Sequence, residues 1–134
     1  MYAFWREAPN HDEYRAWLEQ LLAGVTAFAF SELVLSGFVR VVTNPRVFSP
    51  PADIDKALAF ADAIRTHPAG VPAVPGPRHW DIFAGLCRAG RAKGNLVADA
   101  NLAALAIESG SEWITTDRDY SRFPGLSWRH PLAA

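Results

Sequence analysis

The sequence predicts an α/β fold with a mainly parallel sheet. Three observations carry this: short apolar runs that end at turn residues, stretches with helical spacing of apolar residues between them, and the lack of hairpins linking one run to the next. From Asn10 to Leu22, Tyr14, Trp17, Leu18 and Leu21 fall on one helical stripe, with Asp12, Glu13, Glu19 and Gln20 largely off it, and Gly24 ends the segment. Val25 to Phe30 reads as a short buried strand. Ser31 is suited to cap the following helix, which carries Leu33, Val34, Leu35, Phe38, Val39 and Val42. That helix stops at Thr43-Asn44-Pro45, since a residue before proline is pushed out of the helical region.

After the loop Ser49-Pro50-Pro51, Ala52 to Arg65 is expected to be helical, with Ile54, Leu58, Ala61 and Ile64 on its buried face. Prolines crowd Pro68 to Pro77, around a short strand expected at Val71 to Val74. Helices follow at His79 to Ala89 and at Leu96 to Ser109, the second closed by Gly110 in the position that favours a left-handed backbone. Ser111 to Thr116 and Leu126 to Arg129 are strand-like. Tyr2, Phe4 and Trp5 should tuck against the body.

A chain of 134 residues, half of them hydrophobic, fits one domain with a buried core. With 13 basic and 14 acidic residues, the net charge of −1 supplies no global field towards nucleic acid, although a local patch could. Cys87 is the sole cysteine, which excludes an internal disulfide and a cysteine-built zinc site and fits a reducing compartment. No apolar run approaches the ~20 residues that span a bilayer, so a soluble cytoplasmic protein is expected. His11, His67, His79 and His130 share no ligand-like spacing and are expected at the surface or at helix ends. Trp80 and Trp113 are expected in the core or an interface.

Ten of the acids, Glu108 among them, read as a solvated face. Four are placed differently. Glu32 opens an apolar helix, with Leu35, Ser36 and Val39 on its own face. Asp99 shares its face with Leu102, Ala103 and Ala106. A lone buried carboxylate normally neutralises, pairs or binds metal. Stabilisation by a helix N-terminus competes with that reading for both acids. Asp117 and Asp119 follow directly on a strand, at the sheet edge where α/β proteins bind ligands and where helices that follow strands begin. An Asx turn competes there. If these carboxylates converge, a hard divalent cation is the natural counter-charge, and magnesium or manganese would leave positions for phosphate oxygens. The chemistry so implied is phosphate-ester hydrolysis.

Three stretches carry a resemblance. Ser31-Glu32-Leu33 through Val42-Thr43-Asn44-Pro45-Arg46-Val47-Phe48, Asn95 through Asp99 to Gly110, and Thr115-Thr116-Asp117-Arg118-Asp119-Tyr120 to Leu126 resemble, in order and spacing, the later acidic motifs of PIN-domain ribonucleases of the VapC toxin type. The resemblance implies a three-layer α/β/α sandwich with a mainly parallel central sheet and an acidic pocket holding Mg2+ or Mn2+. It further implies endoribonuclease activity restrained by a cognate antitoxin, and a homodimer. Carried over, Glu32, Asp99 and Asp117 would be catalytic acids and metal ligands, with Asp119 supporting. Arg46 and Arg118 would be donors to RNA phosphates, each with a surface ion pair as its competing role.

Such proteins begin with a short apolar strand bearing an aspartate, and this sequence opens just after that point. A single domain over 1–134, N-terminally truncated relative to the family, is therefore expected. The natural product would carry roughly eight to ten more residues, or the chain is a weakened relative. The alternatives are a catalytically impaired protein that binds RNA or an antitoxin, and a phosphatase-like hydrolase built on the Asp117-Arg118-Asp119 pair. The second is disfavoured because that pair lies late in the chain.

Overall fold

The computed structural model describes residues 1–133; Ala134, the last residue of the expected domain, lies outside the described residues. Contacts gather into two compact units, Met1–Pro72 and Ala73 onward.

The first unit comprises α1 (His11–Ala23), β1 (Phe28–Phe30), α2 (Glu32–Val42), α3 (Ile54–Arg65) and β2 (Gly70–Pro72). β1 and β2 pair in parallel, with Phe28 opposite Gly70 and Phe30 opposite Pro72. Parallel neighbours need a long crossover, and α2 and α3 supply it. The opening segment is tucked in as expected. Phe4 meets Phe38 and Phe60 edge-on at 5.2 and 5.1 Å, and Trp5 meets Phe48 at 5.0 Å. His67 fastens α1 to the turn before β2: its Nε2 donates to the Leu22 carbonyl at 2.6 Å, while its Nδ1 accepts from the Ala69 amide at 3.0 Å. One neutral tautomer satisfies both bonds. A cleft of about 1000 Å³ in this unit is bordered by Arg6, Arg15, Lys56, Trp5 and Phe48.

Several expectations for this unit need correction. The strand is shorter than the apolar run, and Val25 is 97% exposed, because backbone pairing begins only where the Phe28 amide reaches the Ala69 carbonyl. α3 starts at Ile54, with the Asp53 carboxylate accepting from the Asp55 amide. Its buried face matches the expected one only in part: Ala61 is buried as expected, together with Ala57, whereas Ile54 and Leu58 are exposed. Small residues on the inner face let that helix approach its neighbours closely. Ser31 occupies the N-cap position of α2 but makes no side-chain cap bond.

The second unit comprises α4 (His79–Ala89), α5 (Asn95–Ser109), β3 (Trp113–Ile114), a 3₁₀ helix (Arg118–Arg122) and β4 (Trp128–Arg129). β3 and β4 are parallel, tied by Trp113 N–H to the Ser127 carbonyl at 2.8 Å and Thr115 N–H to the Arg129 carbonyl at 3.1 Å. Gly110 ends α5 at φ +68°, as its position predicts, a conformation that glycine adopts without a Cβ penalty. The core joins Leu86 of α4, Ala100, Ala103 and Ala104 of α5, and Tyr120 and Phe123. Burying Leu86 contributes about 1.5–3 kcal/mol, and the alanines let α4 and α5 pack together along their length.

His79 stands at a helix end as expected, yet it is buried, not exposed, with Nε2 3.0 Å from the Asn101 carbonyl. Trp113 packs against the core, whereas Trp80 is 69% exposed and is not a core residue. Glu108 is not merely solvated. Its two carboxylate oxygens accept from the Gly76 and Arg78 amides at 2.6 and 2.9 Å, anchoring the proline-rich loop ahead of α4.

The α/β class and the parallel pairing are borne out in both units. Among the described residues the strands form two parallel pairs, β1 with β2 and β3 with β4. No helix among them is long and apolar enough to cross a membrane.

Candidate active site

Asp99 lies in the second turn of α5, one residue before Ala100, which is completely buried. Helical spacing puts Ala103 and Ala106 on the Asp99 face, and both are buried. The carboxylate is therefore partly buried at the edge of the core. Its Oδ1 accepts a hydrogen bond from the Tyr120 hydroxyl at 3.3 Å. Burial raises the Asp99 pKa above the usual carboxylate value; the Tyr120 hydrogen bond opposes the rise, and the charges of Asp117 and Asp119 add to it. Burial, then the Asp99 charge and hydrogen bond, drives the Tyr120 phenol well above its ordinary value. Tyr120 therefore stays protonated as the donor.

Asp117 and Asp119 are exposed on the segment that leaves β3. The Thr115 hydroxyl oxygen accepts from the Asp117 amide at 3.1 Å, and the Asp117 Oδ1 accepts from the Asp119 amide at 2.9 Å. This is the Asx turn weighed from the sequence, and it starts the 3₁₀ helix that carries Tyr120 into the core. One Asp117 oxygen is thus engaged locally, while its charge and that of Asp119 act on Asp99.

Glu32 opens α2 in the first unit and does not lie in a packed stripe. Its side chain is 65% exposed, and its Oε1 accepts from Arg65 Nε at 3.1 Å. Arg46 is exposed in the turn after α2, with its amide bonded to Asn44 Oδ1 at 2.9 Å. Arg118 is the exposed first residue of the 3₁₀ helix. Neither arginine forms an ion pair among the described residues.

The structure therefore brings Asp117 and Asp119 to bear on Asp99, while Glu32 meets Arg65. Among the described residues no three His, Cys, Asp or Glu side chains are gathered closely enough to enclose an ion. The donor set in the second unit still fits a hard divalent cation. It is all carboxylate oxygen, no lysine or arginine pairs with it among the described residues, and magnesium needs only one or two carboxylates when it keeps its waters. Two residues with a direct hold on the acids escape sequence reasoning. Nothing local to Tyr120 marks its hydroxyl, and Arg65 lies 33 residues from Glu32.

The PIN domain profile matches residues 1–126. The chain belongs to the PIN domain family. Among relatives of this PIN domain, Ribonuclease VapC43 of Mycobacterium tuberculosis is 42% identical over 132 residues, 98% of this chain and 90% of that protein. Ribonuclease VapC25 of the same organism is 37% identical over 123 residues, 92% and 87% of the two chains. The crystal structure of VapBC2 from Rickettsia felis bound to a promoter DNA fragment matches with a TM-score of 0.66 at 19% identity, covering 96% of this chain and 90% of that one. That likeness shows a shared fold. The two ribonucleases place this PIN domain in the VapC branch of the family.

Proposed function

We propose that this PIN domain is a metal-dependent endoribonuclease, the toxin of a cytoplasmic toxin–antitoxin pair, hydrolysing RNA phosphodiester bonds. The observation that carries the reading is the Asp99 carboxylate, held at the edge of an alanine-packed core and facing the charges of Asp117 and Asp119, with no cation paired to any of them among the described residues. Three carboxylates repelling one another on a rigid helix and an anchored turn are poorly explained as fold stabilisers and well explained as ligands. The VapC ribonucleases similar to this chain over nearly its whole length support the same reading.

Asp99 and Asp117 would hold Mg2+ or Mn2+, with Asp119 in support; Glu32 would likewise serve as a metal ligand. A bound ion supplies a more acidic coordinated water and stabilises charge that develops on the phosphodiester. The chain's own residues set the geometry. The Asx turn fixes Asp117, the alanine face of α5 fixes Asp99, and the exposed Arg46 and Arg118 guanidiniums offer planar donors to RNA phosphates. A homodimer and a cognate antitoxin complete the reading.

The test is cleavage of labelled RNA with Mg2+ or Mn2+, for the wild-type chain and for Asp99→Asn. Cleavage should need the ion, stop on chelation and fall at least ~100-fold in the variant, the scale on which lost metal or acid–base machinery is felt. Undiminished cleavage by Asp99→Asn would sink the proposed site.

The Glu32–Arg65 pair favours a second reading, since an acid already engaged by a cation is less available to a metal. The protein would then bind RNA or an antitoxin without cutting. Retained RNA binding with no metal-dependent cleavage identifies that case.

A further inference from the structure

Tyr120 joins the core of the second unit to its acidic cluster. Its ring is 5% exposed, packed 5.3 Å from Trp113 and 5.9 Å from Phe123. Its backbone belongs to the 3₁₀ helix that Asp117 starts. The hydroxyl, by contrast, leaves the apolar cluster and reaches Asp99 Oδ1 on α5. A phenylalanine would fill the same space without that bond, so packing does not explain the oxygen. At 3.3 Å the bond is long for O–H···O, a light hold on one carboxylate oxygen.

A carboxylate has two oxygens, and this donor engages one. With Oδ1 held by a neutral hydroxyl, Asp99 offers a cation its other oxygen, in a fixed orientation. Magnesium and manganese accept single carboxylate oxygens in octahedral surroundings at short range, whereas calcium is larger, tolerates irregular surroundings and readily takes both oxygens of one carboxylate. A hydrogen-bond donor behind a ligand also commonly sets metal affinity by 10- to 100-fold.

We propose that Tyr120 is a positioning residue for the metal site: its hydroxyl holds Asp99 to a single-oxygen mode of binding, and so favours small octahedral divalent ions over calcium. The proposal rests on Asp99 being a metal ligand, as the function proposed above requires, and it adds a determinant of which ion is bound. The ring keeps Tyr120 in the core, and only the hydroxyl acts on the ion, through Asp99.

The experiment measures binding of Mn2+ by electron paramagnetic resonance and of Ca2+ by competition against it, on the full chain without RNA. Three chains are compared: wild type, Tyr120→Phe and Asp99→Asn. Tyr120→Phe keeps the ring and should lower Mn2+ affinity about tenfold while lowering Ca2+ affinity much less, so that the ratio between the ions narrows. A generally loosened site would lose both ions alike, which makes the ratio the deciding quantity. Unchanged Mn2+ affinity in Tyr120→Phe, or an unchanged ratio, overturns the proposal while leaving Asp99 as a ligand. Unchanged Mn2+ binding by Asp99→Asn instead overturns the metal-site reading beneath it. Should Tyr120→Phe fail to fold, the wild-type chain with 13C-labelled, sequence-assigned tyrosine decides. Mn2+ should broaden the Tyr120 ring signal at substoichiometric levels, and a signal that stays sharp refutes the contact.

Discussion

The Glu32–Arg65 pair makes a quantitative forecast. At 3.1 Å in water-like surroundings, two unit charges attract by about 1.3 kcal/mol. The side chains are 65% and 51% exposed, so ordering them offsets part of that, and such pairs net at most about 1 kcal/mol. If Glu32 ligates an ion, that ion must displace or share the Arg65 guanidinium, and removing Arg65 releases the carboxylate. Arg65→Ala should therefore raise Mn2+ affinity by up to about fivefold, the factor that 1 kcal/mol represents at room temperature. Screening shortens to about 3 Å at 1 M salt, so the gain should shrink there. The assay is a calorimetric Mn2+ titration at low and high KCl on wild type, Arg65→Ala, Glu32→Gln and the double variant. Equal affinities for wild type and Arg65→Ala at low salt would refute the competition. So would a gain that persists when Glu32 is also replaced, because the effect would then come from the field of Arg65 and not from its hold on Glu32.

Three further outcomes follow from the second unit. Asp99→Asn keeps an oxygen for the Tyr120 hydroxyl and removes both the burial penalty and the repulsion from Asp117 and Asp119, so the metal-free chain should gain on the order of 1 kcal/mol in urea unfolding; a loss of stability would contradict the electrostatic account of Asp99. Glu108 has its pKa lowered, first by the Gly76 amide bond, so its contribution is fully present above the unfolded carboxylate pKa and fades as pH falls through its lower folded value. Glu108→Gln should therefore lose stability near neutral pH and differ less from wild type in acid. Gly76→Ala, whose Cβ would stand 2.8 Å from Glu108 Oε2, should lose stability in the same direction. Melting curves across pH check both, and a Glu108→Gln deficit that grows as pH falls would reverse the assignment.

Much of the architecture is legible in the chain because helices write themselves in periodic spacing. α4 and α5 fall within a residue of their expected bounds, and Gly110 marks its terminus by conformation alone. Strands are less legible. Val25 to Phe30 is uniformly apolar, and nothing within it tells that pairing waits until Phe28. Ile54 and Leu58 misled because apolar size was taken for the inner face, while close helix approach selects Ala57 beside the expected Ala61. At the site, Asp99 and Asp117 could be singled out because a charge among alanines, or at the end of a strand, is locally anomalous. Tyr120 and Arg65 could not. Their roles exist only through partners 21 and 33 residues away, and a core aromatic or a surface arginine looks the same with or without such a partner.

Because Tyr120 serves the core and the acidic cluster with one side chain, faults in either place reach the other. A change at Phe123, whose ring lies 5.9 Å from that of Tyr120, would bear on the hydroxyl at Asp99 as well as on the core. Catalytic fidelity in this chain would then erode earlier than solubility as substitutions accumulate, and a lineage drifting towards inactivity could do so through its hydrophobic interior with every acidic residue still in place.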